Sequence, residues 1–156
     1  MTELNQRPII FPYSNPTSRS ECSAEEAYRW SDGRAIFASG SPFPPVDIGG
    51  RKFVPNQGNN VYIFPAMAMA LFATEAKRVT EDMFLTAAHA IAEQVSEDNL
   101  AAGLIYPPRE RIFGASLHVA ERVAVSIFDQ DLARVPRPSD VGALIRSRVY
   151  HPVYPE

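Results

Sequence analysis

The chain of 156 residues predicts an α/β fold: a half-sheet of short parallel strands followed by a mostly helical carboxyl-terminal region. Three observations carry that prediction. Pro8–Phe11 is apolar without alternation, the pattern of a strand covered on both faces in a parallel sheet. A helix signal and a second short strand-like run follow it at the spacing of a βαβ unit. From Pro65 onward the apolar positions recur with helical period almost to the end.

The first strand spans Arg7–Ser14 and is expected to be buried. Ser14-Asn15-Pro16-Thr17 ends it in a turn, with Pro16 holding Asn15 extended. A polar residue just past the carboxyl end of a parallel strand stands where open α/β sheets bind ligands. Asn15 suits equally a turn residue bonding its own backbone. Ser23-Ala24-Glu25-Glu26 is a capping box, predicting a helix through Trp30 that Ser31-Asp32-Gly33 stops. Arg34–Pro42 reads as the second strand and a tight turn of small residues, Ser39-Gly40-Ser41, open to a flat ligand or another backbone. Phe43–Asn60 is irregular, with Arg51–Val54 expected as a brief hairpin arm.

The stretch Val54–Pro65 joins this loop to the most apolar run in the chain. Gln57, Asn59 and Asn60 carry donors and acceptors without charge, and Gly58 lets the backbone turn or approach a ligand. If Asn60 caps the next helix, Asn59 and Asn60 stand at a partly positive N-terminus that suits an anion. An ordinary capped loop accounts for the same residues.

Pro65 fits only the first turn of a helix, so a helix is expected from about Pro65 to Lys77, apolar all round and therefore buried. Thr80 caps the next, to about Val95, with Phe84, Ala87, Ala88, Ile91 and Val95 on its inner face. Ser96 opens a short helix that Gly103 ends. After Tyr106-Pro107-Pro108 a long helix runs from about Arg109 to Ala133, striped by Ile112, Ser116, Val119, Ala120, Val123 and Ile127. Ser139 caps a last helix to about Arg148, and the tail Tyr150–Tyr154 is expected to be extended.

Composition bounds the function. At 46% hydrophobic, 21% charged and net charge −3 the chain has no basic excess, which argues against nucleic acid or an anionic membrane surface as partner. The run Val61–Ala73 is too short to span a bilayer, and Pro8–Tyr13 too short for a signal core. A lone cysteine, Cys22, excludes an internal disulfide and points to a reducing, cytoplasmic setting. Lysine occurs only at Lys52 and Lys77, leaving few candidates for lysine chemistry. His89 and His118 fall on charged helix faces as solvated residues, and His151 gains no role from its place in the tail. Metal-ligand spacing, an apolar-flanked carboxylate pair, a serine elbow, a P-loop and a G-x-G-x-x-G motif are all missing from the sequence. Read from its residues alone, this is a half-sheet with amide-rich turns and no catalytic engine.

Set in order, Pro8-Ile9-Ile10-Phe11, Ser14-Asn15-Pro16-Thr17, Ala24-Glu25-Glu26-Ala27-Tyr28, Gly33–Phe43 and Gln57–Pro65 closely resemble the malic enzymes, as does the later Leu104–Pro108. The resemblance runs from about Arg7 to Val125 and is to the C-terminal part of the family alone. It implies the C-terminal part of a Rossmann-type NAD(P)-binding domain over residues 1–133, with a C-terminal helix and tail over 134–156. It implies an oxidoreductase that decarboxylates malate to pyruvate with NAD or NADP and a divalent metal, Mg or Mn, and that assembles as a homo-oligomer. The family's catalytic tyrosine and lysine, metal ligands and glycine-rich loop belong upstream of Arg7, so no catalytic or metal residue is assigned here, and the missing N-terminal portion is an expected partner. Carried over residue by residue, Asn15, Asn59 and Asn60 are the substrate-binding candidates. Asn15, Ser39, Gly40 and Asn59 are the cofactor-binding candidates. Glycines usual in the family are replaced by Asn56, Ala66 and Ala68, which implies a changed loop approach and bulkier helix packing. The alternative is a truncated, non-catalytic module that binds nucleotide, malate or a partner subunit. In either case an open apolar edge is expected where the rest of the sheet should pair.

Overall fold

A computed structural model of the chain describes residues 1–150, so the expected tail from His151 onward lies outside the described residues. The chain divides into two compact units: Met1–Asn59 with Val95–Tyr106, and Asn60–Gln94 with the chain from Pro107 onward.

The first unit is built on strands β1 (Ile9–Ile10), β2 (Ile36–Ser39) and β5 (Asn56–Gln57), in the order β1-β2-β5 and parallel throughout. Helix α1 (Ala24–Trp30) makes the crossover between β1 and β2, as the βαβ reading requires. Its start is the predicted capping box: Ser23 Oγ accepts from the Glu26 amide at 3.2 Å and the Ser23 amide donates to the Glu26 carboxylate at 2.8 Å. The chain leaves α1 through left-handed Asp32 and Gly33, at φ +52° and +70°. Antiparallel β3 (Val46–Ile48) and β4 (Arg51–Phe53) form the hairpin, turned by Gly49 and Gly50, both at positive φ. Ala24, Ala27, Tyr28, Phe37 and Phe53 make the core, with Tyr28 stacked on Phe53 at 4.7 Å between ring centroids. Ser96 caps α4 (Glu97–Ala101) through the Asn99 amide, and Gly103 at φ +84° ends it.

Two expectations change here. The buried strand Arg7–Ser14 contracts to Ile9–Ile10, and Ile9 is 55% exposed, because β1 is an edge strand with β2 on one side only. The third parallel strand, Asn56–Gln57, lies inside what read as irregular loop; two residues carry no periodicity to detect.

The second unit is a helix cluster around α5 (Ile112–Asp129), which packs against α2 (Phe64–Thr74), α3 (Glu81–Ala92) and α6 (Val141–Ser147). The α5 stripe is close to the predicted one: Ala115, Ser116, Val119, Ala120, Val123, Ala124 and Ile127 are buried, and Ile112 is only half-buried. Small residues on the facing helices, Ala66, Ala70 and Ala73 on α2 and Ala87 and Ala90 on α3, let these axes approach closely.

Most differences in this unit are at helix ends. A 3₁₀ turn, Asn60–Tyr62, precedes α2, whose N-cap is Ile63, so Asn60 does not cap that helix. Glu75, left-handed at φ +49°, stops α2 before the predicted Lys77. A 3₁₀ turn at Arg109–Arg111 delays α5, and left-handed Asp131 follows its end before Ala133. Asp140 rather than Ser139 caps α6, its carboxylate accepting from the Ala143 amide at 2.8 Å. Thr80 stands at the α3 N-cap with its hydroxyl turned to Gln130 instead of the helix. Two faces differ as well. The buried side of α3 is Met83, Ala87, Ala90 and Ile91, leaving Phe84 47% exposed, because the alanine-lined interface admits small side chains. Helix α2 is not buried all round: Phe64, Ala68 and Phe72 lie exposed along one side, where no element of this unit covers them. Of the two alanines expected to add bulk to helix packing, Ala66 is buried and Ala68 is exposed. Among the described residues no helix is long and apolar enough to cross a membrane.

Candidate functional site

The parallel ladder continues past the strands as single hydrogen bonds. Gly40 N donates to Pro12 O at 3.3 Å and Gly58 N to Ser39 O at 3.0 Å. The carboxyl ends of β1, β2 and β5 are thereby held side by side, which gathers Tyr13–Asn15, Ser39–Ser41 and Gln57–Asn59 within the first unit. Of the predicted site residues, this brings together Asn15, Ser39, Gly40 and Asn59. Asn60 follows Asn59 directly but opens the second unit, exposed at the start of its 3₁₀ turn.

Hydrogen bonds and close approaches tie the turns together. Ser41 Oγ donates to Asn15 Oδ1 at 2.5 Å, so the two turns are tied through the asparagine carbonyl and its amide face is set. Ser39 is fully buried, its hydroxyl donating to Ser41 O at 2.8 Å; it shapes the turn from beneath. Gln57 Nε2 donates to Gly40 O at 3.2 Å. Gly40 is required by closeness: a Cβ there would stand 2.5 Å from Tyr13 O and 2.8 Å from both Asn15 amide atoms. At Gly58 a Cβ would meet the Tyr13 ring at 2.7 Å. The Asn15-Pro16 peptide bond is cis, and Ser14 folds the following turn back by donating from Oγ to the Glu21 carboxylate at 2.5 Å. The Ser14 hydroxyl holds the Glu21 carboxyl below the usual carboxylate range.

Three contributors escaped the sequence reading. Tyr13 packs on Gly58, stacks on Phe11 at 5.4 Å between centroids, and pairs its phenol with that of Tyr106 at 3.4 Å. Burial, then the Tyr13 contact, pushes the Tyr106 phenol well up from its ordinary value. Asn56, read from the sequence as a loop substitution, is a buried clamp. Its Nδ2 donates to Phe37 O and Gly103 O, both at 2.8 Å, and its Oδ1 accepts from Ile105 N at 2.9 Å. No periodicity announces a residue whose work is to tie segments far apart in sequence.

Burial, then the charges of Glu26 and Glu21, raise the Cys22 thiol, which disfavours a thiolate nucleophile. His89 is exposed, and His118 shares Glu93 with Arg122, at 3.4 and 3.0 Å. Among the described residues no three His, Cys, Asp or Glu side chains gather closely enough to hold a metal ion.

Comparison with known proteins places the chain in a family. The family description "Malic enzyme, NAD binding domain" matches residues 1–128. The NADP-dependent malic enzyme 3 of Arabidopsis thaliana is 50% identical over 99% of this chain and 26% of its own length. The chloroplastic NADP-dependent malic enzyme of Zea mays is 51% identical over 99% of the chain and 24% of its own length. The NADP-dependent malic enzyme of Dictyostelium discoideum is 47% identical, again over 99% of the chain, with 28% of its own length covered. The chain thus spans about a quarter of the length of these relatives, and within that span it belongs to the malic enzyme family, through its NAD-binding domain.

Proposed function

We propose that this chain is the C-terminal portion of a malic enzyme and supplies the substrate-orienting side of its site, in oxidative decarboxylation of malate to pyruvate and CO2. The observation that supports this reading is the convergence of Asn15, Gly40 and Asn59 at the carboxyl ends of three parallel strands. On this reading residues 1–133 complete the nucleotide-binding domain and 134–156 form its terminal helix and tail.

The residues present fit part of a dinucleotide cofactor. Gly40 and Gly58 let the strand-end turns close on one another, a Cβ at either standing within 2.7 Å of Tyr13, and buried Ser39 backs the turn between them. When bound, NAD(P) supplies the hydride acceptor. Asn15 and Asn59 would line the nicotinamide side, with Ser39 and Gly40 behind it. Asn15, Asn59 and Asn60 would hold the carboxylates and hydroxyl of malate with its C2 hydrogen turned toward the ring. Neutral amides orient a dianion without adding charge beside a cationic ring, and orientation of this kind contributes roughly several kcal/mol. The residues do not fit a divalent metal, for want of a ligand cluster among those described, so no step is routed through one. The base, acid and metal ligands belong to the remaining portion of the enzyme, the partner of this chain together with further copies of itself. The cytoplasm is the proposed compartment; the maize relative is named as chloroplastic.

Two measurements test the proposal. The purified chain, given malate, Mn²⁺ and either NAD or NADP, should show no turnover above background; turnover would overturn the division of labour. Amide resonances of Asn15, Gly40 and Asn59 should shift saturably with NADP and malate, and Asn59→Ala should weaken that response at least fivefold. If those resonances stay still while the chain remains folded, the binding role is wrong. The truncated, non-catalytic module is the reading favoured if binding survives without any gain of turnover on adding the remaining portion.

A further inference from the structure

We propose that the opposite end of the same sheet carries a second binding site, for a small dianionic oxyanion such as a phosphate ester or a short dicarboxylate. Arg7 stands just before β1, Arg34 just before β2, and Arg51 on the hairpin strand that leads toward β5. All three line one cleft of about 170 Å³ at the amino ends of the parallel strands, within the first unit.

Each guanidinium is held in place by a contact that leaves further N–H donors over. Arg7 Nη2 donates to Leu100 O at 3.0 Å. Arg34 Nε donates to Ser31 O at 3.1 Å and its Nη1 to Thr2 O at 3.5 Å. Arg51 lies over the Phe53 ring, 4.8 Å from its centroid. Among the described residues the only carboxylate paired with any of them is Asp32, 3.7 Å from Arg34 and with an 85% exposed side chain. Three like charges therefore share a cleft with one solvated counter-charge, paired with Arg34 alone, in a chain whose net charge is −3.

The wall beneath them is rigid. Phe53 is stacked on buried Tyr28, and Gly33 closes against it so tightly that a Cβ would lie 2.5 Å from the ring. The carbonyls that hold Arg7 and Arg34 do not by themselves call for three arginines lining one cleft. Planar donor forks over a fixed aromatic floor match the paired oxygens of phosphate or carboxylate. The site is independent of the malate reading, which uses the carboxyl ends of the strands.

The test is a titration of ¹⁵N-labelled chain with inorganic phosphate and, separately, with succinate, at ionic strength held constant with chloride. The amides of Gly33 and Gly103 should shift saturably in at least one arm, and the tighter arm identifies the ligand class. Arg51→Gln should lower the affinity at least fivefold, as should Arg7→Gln. Lys52→Gln, a neighbouring charge outside the cleft, should change it less than twofold. Linear, unsaturated shifts in both arms would overturn the proposal. So would an equal loss in Lys52→Gln and Arg51→Gln, which marks general charge screening. Arg51 lies exposed on the hairpin, so its variant decides the matter even if Arg7→Gln fails to fold. Failure of the malate reading would instead appear at Gly40 and Asn59.

Discussion

Asn56 shows how much one side chain can organise. One buried carboxamide satisfies two carbonyls and one amide from three separate segments, Phe37, Gly103 and Ile105. The last of these fixes the approach to Tyr106, whose phenol meets Tyr13 beside Gly58. Asn56→Ala would leave those groups without their partner, at about 1–3 kcal/mol for each one that water cannot reach. The expected outcome is a loss of roughly 2–5 kcal/mol in urea unfolding, together with a changed Gly58 amide resonance as the Tyr13 ring loosens. An unchanged unfolding midpoint would contradict the clamp. The sequence made the carboxamides of Gln57, Asn59 and Asn60 conspicuous, because they sit beside a glycine and an apolar run. It hid Asn56, whose partners lie between 19 and 49 residues away.

At the scale of elements, what could be read from the sequence was what local chemistry controls. The capping box of α1, the glycine ends of α1 and α4 and the stripe of α5 are each written in a few adjacent residues, and each is found. The face of α3 and the exposed side of α2 depend on which neighbours exist, so periodicity misplaced the first and composition the second. The cap of α1 also carries a pH dependence. Backbone and side-chain hydrogen bonds from Ser23 hold the exposed Glu26 carboxyl below the usual range. Because the folded value is depressed, this stabilisation is present above the unfolded value of about 4.3 and is lost as pH falls through the lower, folded one. Ser23→Ala should therefore lower the melting temperature at neutral pH. The gap to the parent should narrow as the buffer is taken below about pH 4. A gap that stays constant down to acid would assign the cap's worth to something other than this carboxylate.

At the scale of the whole molecule, the deciding feature is the sheet edge at β1. Order β1-β2-β5 leaves β1 hydrogen-bonded on one side, and Ile9 and Phe11 beside that edge are 55% and 40% exposed. An unpaired strand edge flanked by apolar side chains is a template for another strand. The relatives carry roughly three-quarters of their length outside the matched region, ample to supply one. Until it is supplied, the isolated chain should satisfy that edge by self-association. Sedimentation velocity is expected to show mass rising with concentration, and an apolar dye should brighten on binding. Ile9→Lys places a charge on the edge without removing a buried contact, so it should reduce both signals while leaving the melting temperature nearly unchanged. A parent chain that sediments as a monomer and leaves the dye dark would show that the edge is already quiet. The half-sheet would then be a self-sufficient module, and the case for a second portion completing it would fall with the association.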